Sequence, residues 1–125
     1  MLFRSAYLKG DFYWNKLTPA DWKKAMDFFQ QAIAADPGYA PGYAGLARCF
    51  GIMGANAILP PKEAFPKSKA LASKALEMDP LLPEAVVMMG AVHLFFERDW
   101  PAAERAFRRA LELSPSYAHG HNLYS

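Results

Sequence analysis

Three histidines are the first candidates for chemistry, because an imidazole binds metal ions and transfers protons near neutral pH. They are His93, His119 and His121 in a chain of 125 residues. His119 and His121 form a His-x-His pair, but a zinc site needs three or four ligands within reach. Residues two apart on a helix point about 200° from each other, so only a frayed helix end would bring both rings to one ion. We therefore expect no metal site, a solvated pair at a helix end, and a hydrogen-bonded interior His93.

Nucleophilic and acid–base chemistry has little support in this sequence. Cys49 is the only cysteine and follows Arg48 directly, but neighbours in sequence on a helix point apart, so the thiol gains no activating cation. We expect Cys49 to be a small buried hydrophobic residue. Asp36 and Asp79 each precede a proline and are interpreted as helix-end residues rather than an acid–base pair. Without a phosphate-binding glycine loop or a Ser/His/Asp arrangement, the sequence predicts no catalytic residue and no cofactor.

Charge and composition argue against nucleic acid and membrane partners. The chain has 14 Lys/Arg and 12 Asp/Glu, and its basic residues form no run longer than a pair. Several aromatic residues lie near the N-terminus, but base stacking needs a basic groove beside the rings, and only Arg4, Lys9 and Lys16 are nearby. Uncharged runs such as 49–61 and 85–96 are shorter than the roughly 18 residues of a membrane helix. A single cysteine fits a reducing compartment, so we expect a cytoplasmic protein.

Three similar phrases divide the chain into repeating units. They are AIAADPGYA, ALEMDPLLP and ALELSPSYA, and aligning them on Pro37, Pro80 and Pro115 gives steps of 43 and 35 residues. Steps of this length are typical of helical repeat proteins. Residues at four fixed distances before each proline also correspond, with Ala72 as the one departure in type, at spacings of 3, 4 and 3 that place them on one helix face. These are Trp22, Phe65 and Trp100; Ala25, Ser68 and Ala103; Phe29, Ala72 and Phe107; and Ala32, Ala75 and Ala110.

The repeats predict an all-α fold of paired helices. We expect six helices at 3–15, 19–35, 40–53, 66–78, 83–98 and 101–113, with the start of a seventh. They form one domain, 1–125, with units at about 3–37, 38–80 and 81–115 and a partial unit at 116–125. Because the last unit is incomplete, we interpret the chain as a fragment of a longer protein. We also expect close crossings where Gly10 faces Ala25, Ala47 faces Ser68 and Gly90 faces Ala103, and a loop of about nine extra residues within 51–65.

At this point the residues resemble the tetratricopeptide repeat family. Tyr43, Leu46, Ala47 and Phe50 match the first-helix pattern of that family, and Ala103, Phe107, Ala110 and Pro115 match the second-helix pattern. The resemblance implies a right-handed superhelix of stacked antiparallel helical hairpins, an α-solenoid whose first helices form a concave wall. The lengthened loops resemble repeat regions attached to bacterial signalling and regulatory proteins.

The family geometry implies a groove that binds a peptide or protein segment. Its predicted lining residues are Tyr7, Asp11, Trp14, Arg48, Ile52, Glu84, Val87, Leu94, Phe95, His119 and Asn122, with Ala44 and Ala91 between them. We expect Arg48 to be an accessible polar anchor for the partner. Tyr7, Asp11, Ala44 and Ala91 stand where a chaperone-binding repeat clamps a carboxylate with Lys and Asn, so this chain does not resemble that type. The alternative is self-association into a homo-oligomer through the uncapped terminal hairpin, and an enzymatic activity would require a further domain.

Overall fold

The computed structural model describes residues 2–114, with side chains from residue 3 onward. Within that range all regular structure is helical and no strand is present, which confirms the predicted all-α class. The helices are α1 (Leu2–Trp14), α2 (Pro19–Ala35), α3 (Ala40–Ala55), α4 (Pro61–Met78), α5 (Pro83–Val92) and α6 (Trp100–Leu113). A π-helical turn, His93–Glu97, continues α5. The expected seventh helix lies outside the described residues.

The helices pack as three antiparallel hairpins stacked side by side. Helix α1 packs on α2, α3 on α4, and α5 on α6, while α1, α3 and α5 also contact one another in that order. The first helices of the hairpins therefore form one continuous wall. No helix within residues 2–114 is long and apolar enough to cross a membrane.

Proline and aspartate set the helix ends as the sequence indicates. Thr18 Oγ1 accepts a hydrogen bond from Asp21 N (3.1 Å) at the start of α2, and a proline occupies the first turn. Helices α2 and α4 end at Asp36 and Asp79, whose backbones are extended because a proline follows each. Asp36 Oδ1 then accepts from Gly38 N (2.9 Å), and Asp79 makes the equivalent turn. The interpretation of both aspartates as helix-end residues is confirmed.

Three predicted helix boundaries are wrong, two of them on either side of one loop. Helix α4 begins at Pro61 rather than Pro66, and α3 extends to Ala55, so the long loop shrinks to residues 56–60. Pro61 presets the first helical position, and Pro66 is tolerated inside the helix close to its start, where it removes a single backbone hydrogen bond. The end of α5 also differs: the α-helix expected to reach residue 98 changes to the π turn after Val92. Arg98 then takes a left-handed conformation with φ of 57°.

Phenylalanine rings, rather than small residues, lie nearest to the crossing glycines. A Cβ added to Gly10 or Gly45 would lie 2.7 or 2.5 Å from Phe29 Cε1, and one on Gly90 would lie 2.7 Å from Phe107 Cε1. The expected pairing of Gly10 with Ala25 and of Gly90 with Ala103 stays a prediction, and the nearest atoms to both glycines are those of the phenylalanine rings. The pairing of Ala47 with Ser68 is confirmed by a 2.7 Å hydrogen bond from Ser68 Oγ to the Ala47 carbonyl.

Candidate functional site

Four of the predicted groove residues meet in an ionic cluster on the wall formed by α1, α3 and α5. Arg48 of α3 lies between two carboxylates: its Nη2 is 2.6 Å from Asp11 Oδ1 of α1, and its Nε is 3.3 Å from Glu84 Oε1 of α5. The second contact is a close ion pair whose atoms are not aligned as a hydrogen bond. Tyr7 of α1 donates its hydroxyl to Glu84 Oε2 at 3.1 Å. We call Tyr7, Asp11, Arg48 and Glu84 the ionic cluster.

Burial controls the electrostatics of the ionic cluster. The side chains of Arg48 and Glu84 are 5% and 6% exposed, whereas that of Asp11 is 37% exposed. Burial raises the pKa of Glu84, and the Arg48 guanidinium and the Tyr7 hydroxyl oppose that rise. Burial also raises the pKa of Tyr7, and the neighbouring Glu84 carboxylate adds to the effect. Tyr7 therefore stays a neutral hydrogen-bond donor at physiological pH.

The guanidinium of Arg48 also packs on aromatic rings. Its Cζ lies 4.3 Å from the ring centroid of Trp14 and 5.7 Å from that of Phe29, both within the range of a cation–π contact. Arg48 is thus held by charges and rings inside the protein. The expectation of an accessible anchor is corrected, because the side chain is turned inward.

An apolar cavity of about 350 Å³ opens beside the ionic cluster. We call it the groove. Residues from all three hairpins line it, and the only charged one among them is Arg48. The lining consists of Trp14, Asn15, Leu17, Arg48, Gly51, Ile52, Ala55, Phe65, Met88, Ala91 and Phe95.

The predicted groove residues fall into four groups. Trp14, Arg48, Ile52, Phe95 and the intervening Ala91 line the groove. Tyr7, Asp11 and Glu84 belong to the ionic cluster and do not line the cavity. Val87 is 1% exposed and Ala44 is fully buried, so their predicted groove positions are corrected. Leu94 is partly buried against the same core and is not among the residues that line the cavity. His119 and Asn122 lie outside the described residues.

Several lining residues were missed by sequence reasoning. Phe65 was recognised only as a shared aromatic position of the repeat, and Leu17 lies in the α1–α2 loop, where no periodicity applies. Gly51 of α3 lines the groove with its backbone, and a Cβ there would make only ordinary contacts, 3.5 Å from Ser68 Oγ and 3.9 Å from the sulfur of Met88.

The π turn fixes the rim of the groove. Glu97 Oε2 lies 2.6 Å from Lys69 Nζ of α4, and Glu97 Oε1 lies 2.5 Å from His93 Nδ1. The hydrogen bonds from Lys69 and then His93 lower the pKa of Glu97. Phe95 remains 51% exposed at the rim. His93 is hydrogen-bonded as expected, but its side chain is 19% exposed rather than interior.

Neither a reactive thiol nor a metal cluster is found in the part of the chain that the structure describes. Cys49 is fully buried, and burial raises its pKa to about 12, so it is a protonated thiol as expected of a small core residue. Within residues 2–114, no group of three or more His, Cys, Asp or Glu side chains could hold a metal ion.

Similar structures identify the architecture. No family model matches the sequence. The structure superposes on the tetratricopeptide repeat domain of Arabidopsis OM64 with a TM-score of 0.71 and 23% identity, covering 90% of this chain and 83% of that one. The first repeat domain of Spaghetti (RPAP3), solved with the HSP90 peptide SRMEEVD, gives a TM-score of 0.73 at 17% identity, covering 96% and 89%. The chain has the tetratricopeptide repeat fold.

One group of curated proteins is similar in sequence. The transcriptional regulator HilA of Salmonella typhimurium is 28% identical over 123 residues, which covers 94% of this chain. The chain spans only 22% of the length of that regulator.

Proposed function

We propose that the chain is a protein-interaction scaffold and that the groove binds a segment of a partner protein. The observation that carries this proposal is the apolar cavity lined by residues of all three hairpins. Leu17 and Phe95 line it with 59% and 51% of their surface exposed to solvent. Apolar surface concentrated around a concave site is typical of binding sites. The Spaghetti repeat domain, solved with a bound peptide, supports the same use of this fold.

We further propose that the scaffold is a regulatory module of a larger bacterial cytoplasmic protein. The similarity to the transcriptional regulator HilA supports this context, since it covers 94% of the chain. In such an arrangement the groove would receive a partner while another part of the protein carries the regulated activity.

A site-specific cross-linking experiment tests the groove. A photoreactive phenylalanine analogue replaces Phe95 at the rim or, as a control, the exposed Gln30 on α2. We expect a partner adduct from position 95 alone, and we expect Ala55→Glu to abolish it by placing a charge in the apolar lining. Adducts of equal yield from position 30, or adducts from position 95 that survive Ala55→Glu, would contradict the proposal.

The alternative of self-association through the terminal hairpin stays a prediction, because the last part of that hairpin lies outside the described residues. Its test is sedimentation of the purified chain over a range of concentrations. A constant monomer mass would contradict it and would leave the groove proposal intact.

A further inference from the structure

Resting on the proposed function, we propose that the groove selects an uncharged apolar side chain of its partner and rejects a segment that presents carboxylates. The partner is thus defined by chemistry: a polypeptide segment with an aliphatic or aromatic anchor and no acidic residue beside it. This specificity is opposite to that expected for the acidic peptide SRMEEVD bound by the Spaghetti domain.

The first argument is the charge at the floor of the groove. Arg48 is the only charged residue of the lining, and its guanidinium already lies against the carboxylates of Asp11 and Glu84. An incoming carboxylate would be a third negative group around one cation whose side chain is 5% exposed. Like charges brought together at an interface oppose binding, and the buried Arg48 cannot move outward without leaving Glu84 unpaired.

The second argument is the small number of donors in the lining. Apart from Arg48, the side-chain donors are Asn15, whose Nδ2 donates to the Asp11 carbonyl at 2.8 Å, and the indole of Trp14, whose Nε1 is buried. The carboxylate of a bound peptide needs hydrogen-bond donors to replace the water it loses. Leu17, Ile52 and Phe95 contribute only apolar side chains to the lining.

The third argument is size. At about 350 Å³ the cavity is near the lower end of the range of about 300–1,000 Å³ for pockets that bind small molecules. This volume suits one or two large side chains rather than a whole helix. An apolar anchor that fills such a pocket loses contact with water without leaving a polar atom unsatisfied, which is how the central residues of protein interfaces bind.

Matched peptides separate the two chemistries. The probes are the blocked peptides acetyl-SRMXXVS-amide, with X as Leu, Gln or Glu, and SRMEEVD with its free carboxylate. Binding is followed by chemical shifts in ¹H–¹⁵N NMR spectra of the 125-residue chain. Comparing the affinities of the Gln and Glu peptides isolates the effect of charge, and comparing those of the Leu and Gln peptides isolates the effect of apolar contact.

We expect the Leu peptide to shift the resonances of groove residues at about 1 mM and to bind at least about tenfold more tightly than the Glu peptide or SRMEEVD. The affinity of the Gln peptide should lie between those of the Leu and Glu peptides. Equal or tighter binding of either acidic peptide would overturn the inference, and so would a Leu peptide that leaves the groove resonances unchanged at that concentration.

A pair of variants ties the effect to the groove. Ala55 and Ala70 are both exposed helical alanines, but only Ala55 lines the groove. Ala55→Glu should weaken binding of the Leu peptide at least about tenfold, and Ala70→Glu should leave that affinity unchanged. Equal effects of the two variants would overturn the inference. If an acidic peptide binds in the groove, the proposed selectivity is wrong while the scaffold function stands. Cross-linked adducts that form independently of position 95 would instead contradict the scaffold function itself.

Discussion

Arg48 shows how burial changes the role of a residue that the repeat pattern places on a binding surface. Its side chain is 5% exposed and lies between Asp11, Glu84 and the ring of Trp14. A surface arginine can be removed at little cost, but a buried one leaves its partner carboxylates without a counter-charge. Arg48 is therefore expected to support the fold of the wall rather than to contact the partner.

Arg48→Ala is predicted to lower the free energy of unfolding by about 3 kcal/mol or more, because Glu84 would stay buried without its cation. Urea denaturation measures the change. Arg108→Ala is the control: Arg108 pairs with Glu104 on the surface, with side chains 65% and 54% exposed, and its loss should cost about 0–1 kcal/mol. Equal, small effects of the two variants would show that Arg48 is not held as described.

Glu84 gives the protein a pH dependence with a defined sign. Its folded-state pKa is raised above the ordinary value of 4.5, so the folded protein keeps this proton at pH values where the unfolded chain has lost it. The stabilisation from Glu84 is complete below about pH 4.5 and is lost as the pH rises through the folded pKa. We predict that the stability of the parent relative to Glu84→Gln falls as the pH increases.

Urea midpoints of the parent and of Glu84→Gln, taken at several pH values from 4 to 8 (roughly the span in which a raised carboxyl pKa acts), measure this difference. The variant removes only the titration of residue 84, so other groups contribute nearly equally to both curves. A difference that grows with pH would mean that the attraction of Arg48 outweighs the burial of Glu84.

At the scale of helices, the glycines and phenylalanines are matched in size. Phe29 packs on Gly10 and Gly45, and Phe107 packs on Gly90. In the second hairpin, Ala72 stands in the place of the ring and Ala47 in the place of the glycine, so the added methyl group restores only part of the volume of the missing ring. A small residue therefore lies at the crossing in each of the three hairpins.

Gly90→Ala is predicted to destabilise the protein by about 1–3 kcal/mol through overpacking. Its new Cβ would lie 2.7 Å from Phe107 Cε1, and the ring is too buried to move away freely. The higher helix propensity of alanine opposes this by up to about 1 kcal/mol. Gly51→Ala is the control, because its nearest contact would be an ordinary 3.5 Å. In thermal melts, the melting temperature of Gly90→Ala should lie below that of the parent, and that of Gly51→Ala should lie at or above it. The reverse order would contradict the close contact between Gly90 and Phe107.

The sequence predicted these elements well wherever local signals act. Proline and its preceding aspartate end α2 and α4 through the backbone alone, so their positions could be predicted from neighbouring residues. The start of α4 was wrong because Pro61 and Pro66 are both compatible with a first turn, and the choice between them depends on packing. The π turn after Val92 has no local sequence signature.

The candidate site was predicted in part for the same reason. The repeat register places Trp14, Ile52 and Phe95 at the groove, and all three line it. Register alone could not distinguish a residue that points into the groove from one that pairs beneath it. The pairing of Arg48 with Glu84 depends on how two hairpins stack, and Val87 lies in the core through that same stacking.

In the whole molecule, the ionic cluster links hairpins that are not adjacent in the stack. Repeat proteins of this kind usually hold together through contacts between neighbouring units. Here Tyr7 of the first hairpin donates directly to Glu84 of the third, 77 residues away, while Arg48 of the second pairs with both Glu84 and Asp11. The three first helices are therefore expected to open together rather than one after another, and the groove beside them should keep its shape when empty.

Tyr7→Phe tests this coupling, because it removes one hydroxyl and leaves the ring in place. The loss leaves a buried acceptor of Glu84 unsatisfied, at a cost of about 1–3 kcal/mol. Amide hydrogen exchange should then become faster in α5 as well as in α1, although the substitution lies only in α1. Tyr43→Phe is the matched control, since its hydroxyl donates locally to the exposed Pro37 carbonyl at 3.0 Å, and exchange in α1 and α5 should not change. Faster exchange confined to α1 in Tyr7→Phe would show that the hairpins open independently and that the cluster does not couple the first hairpin to the third.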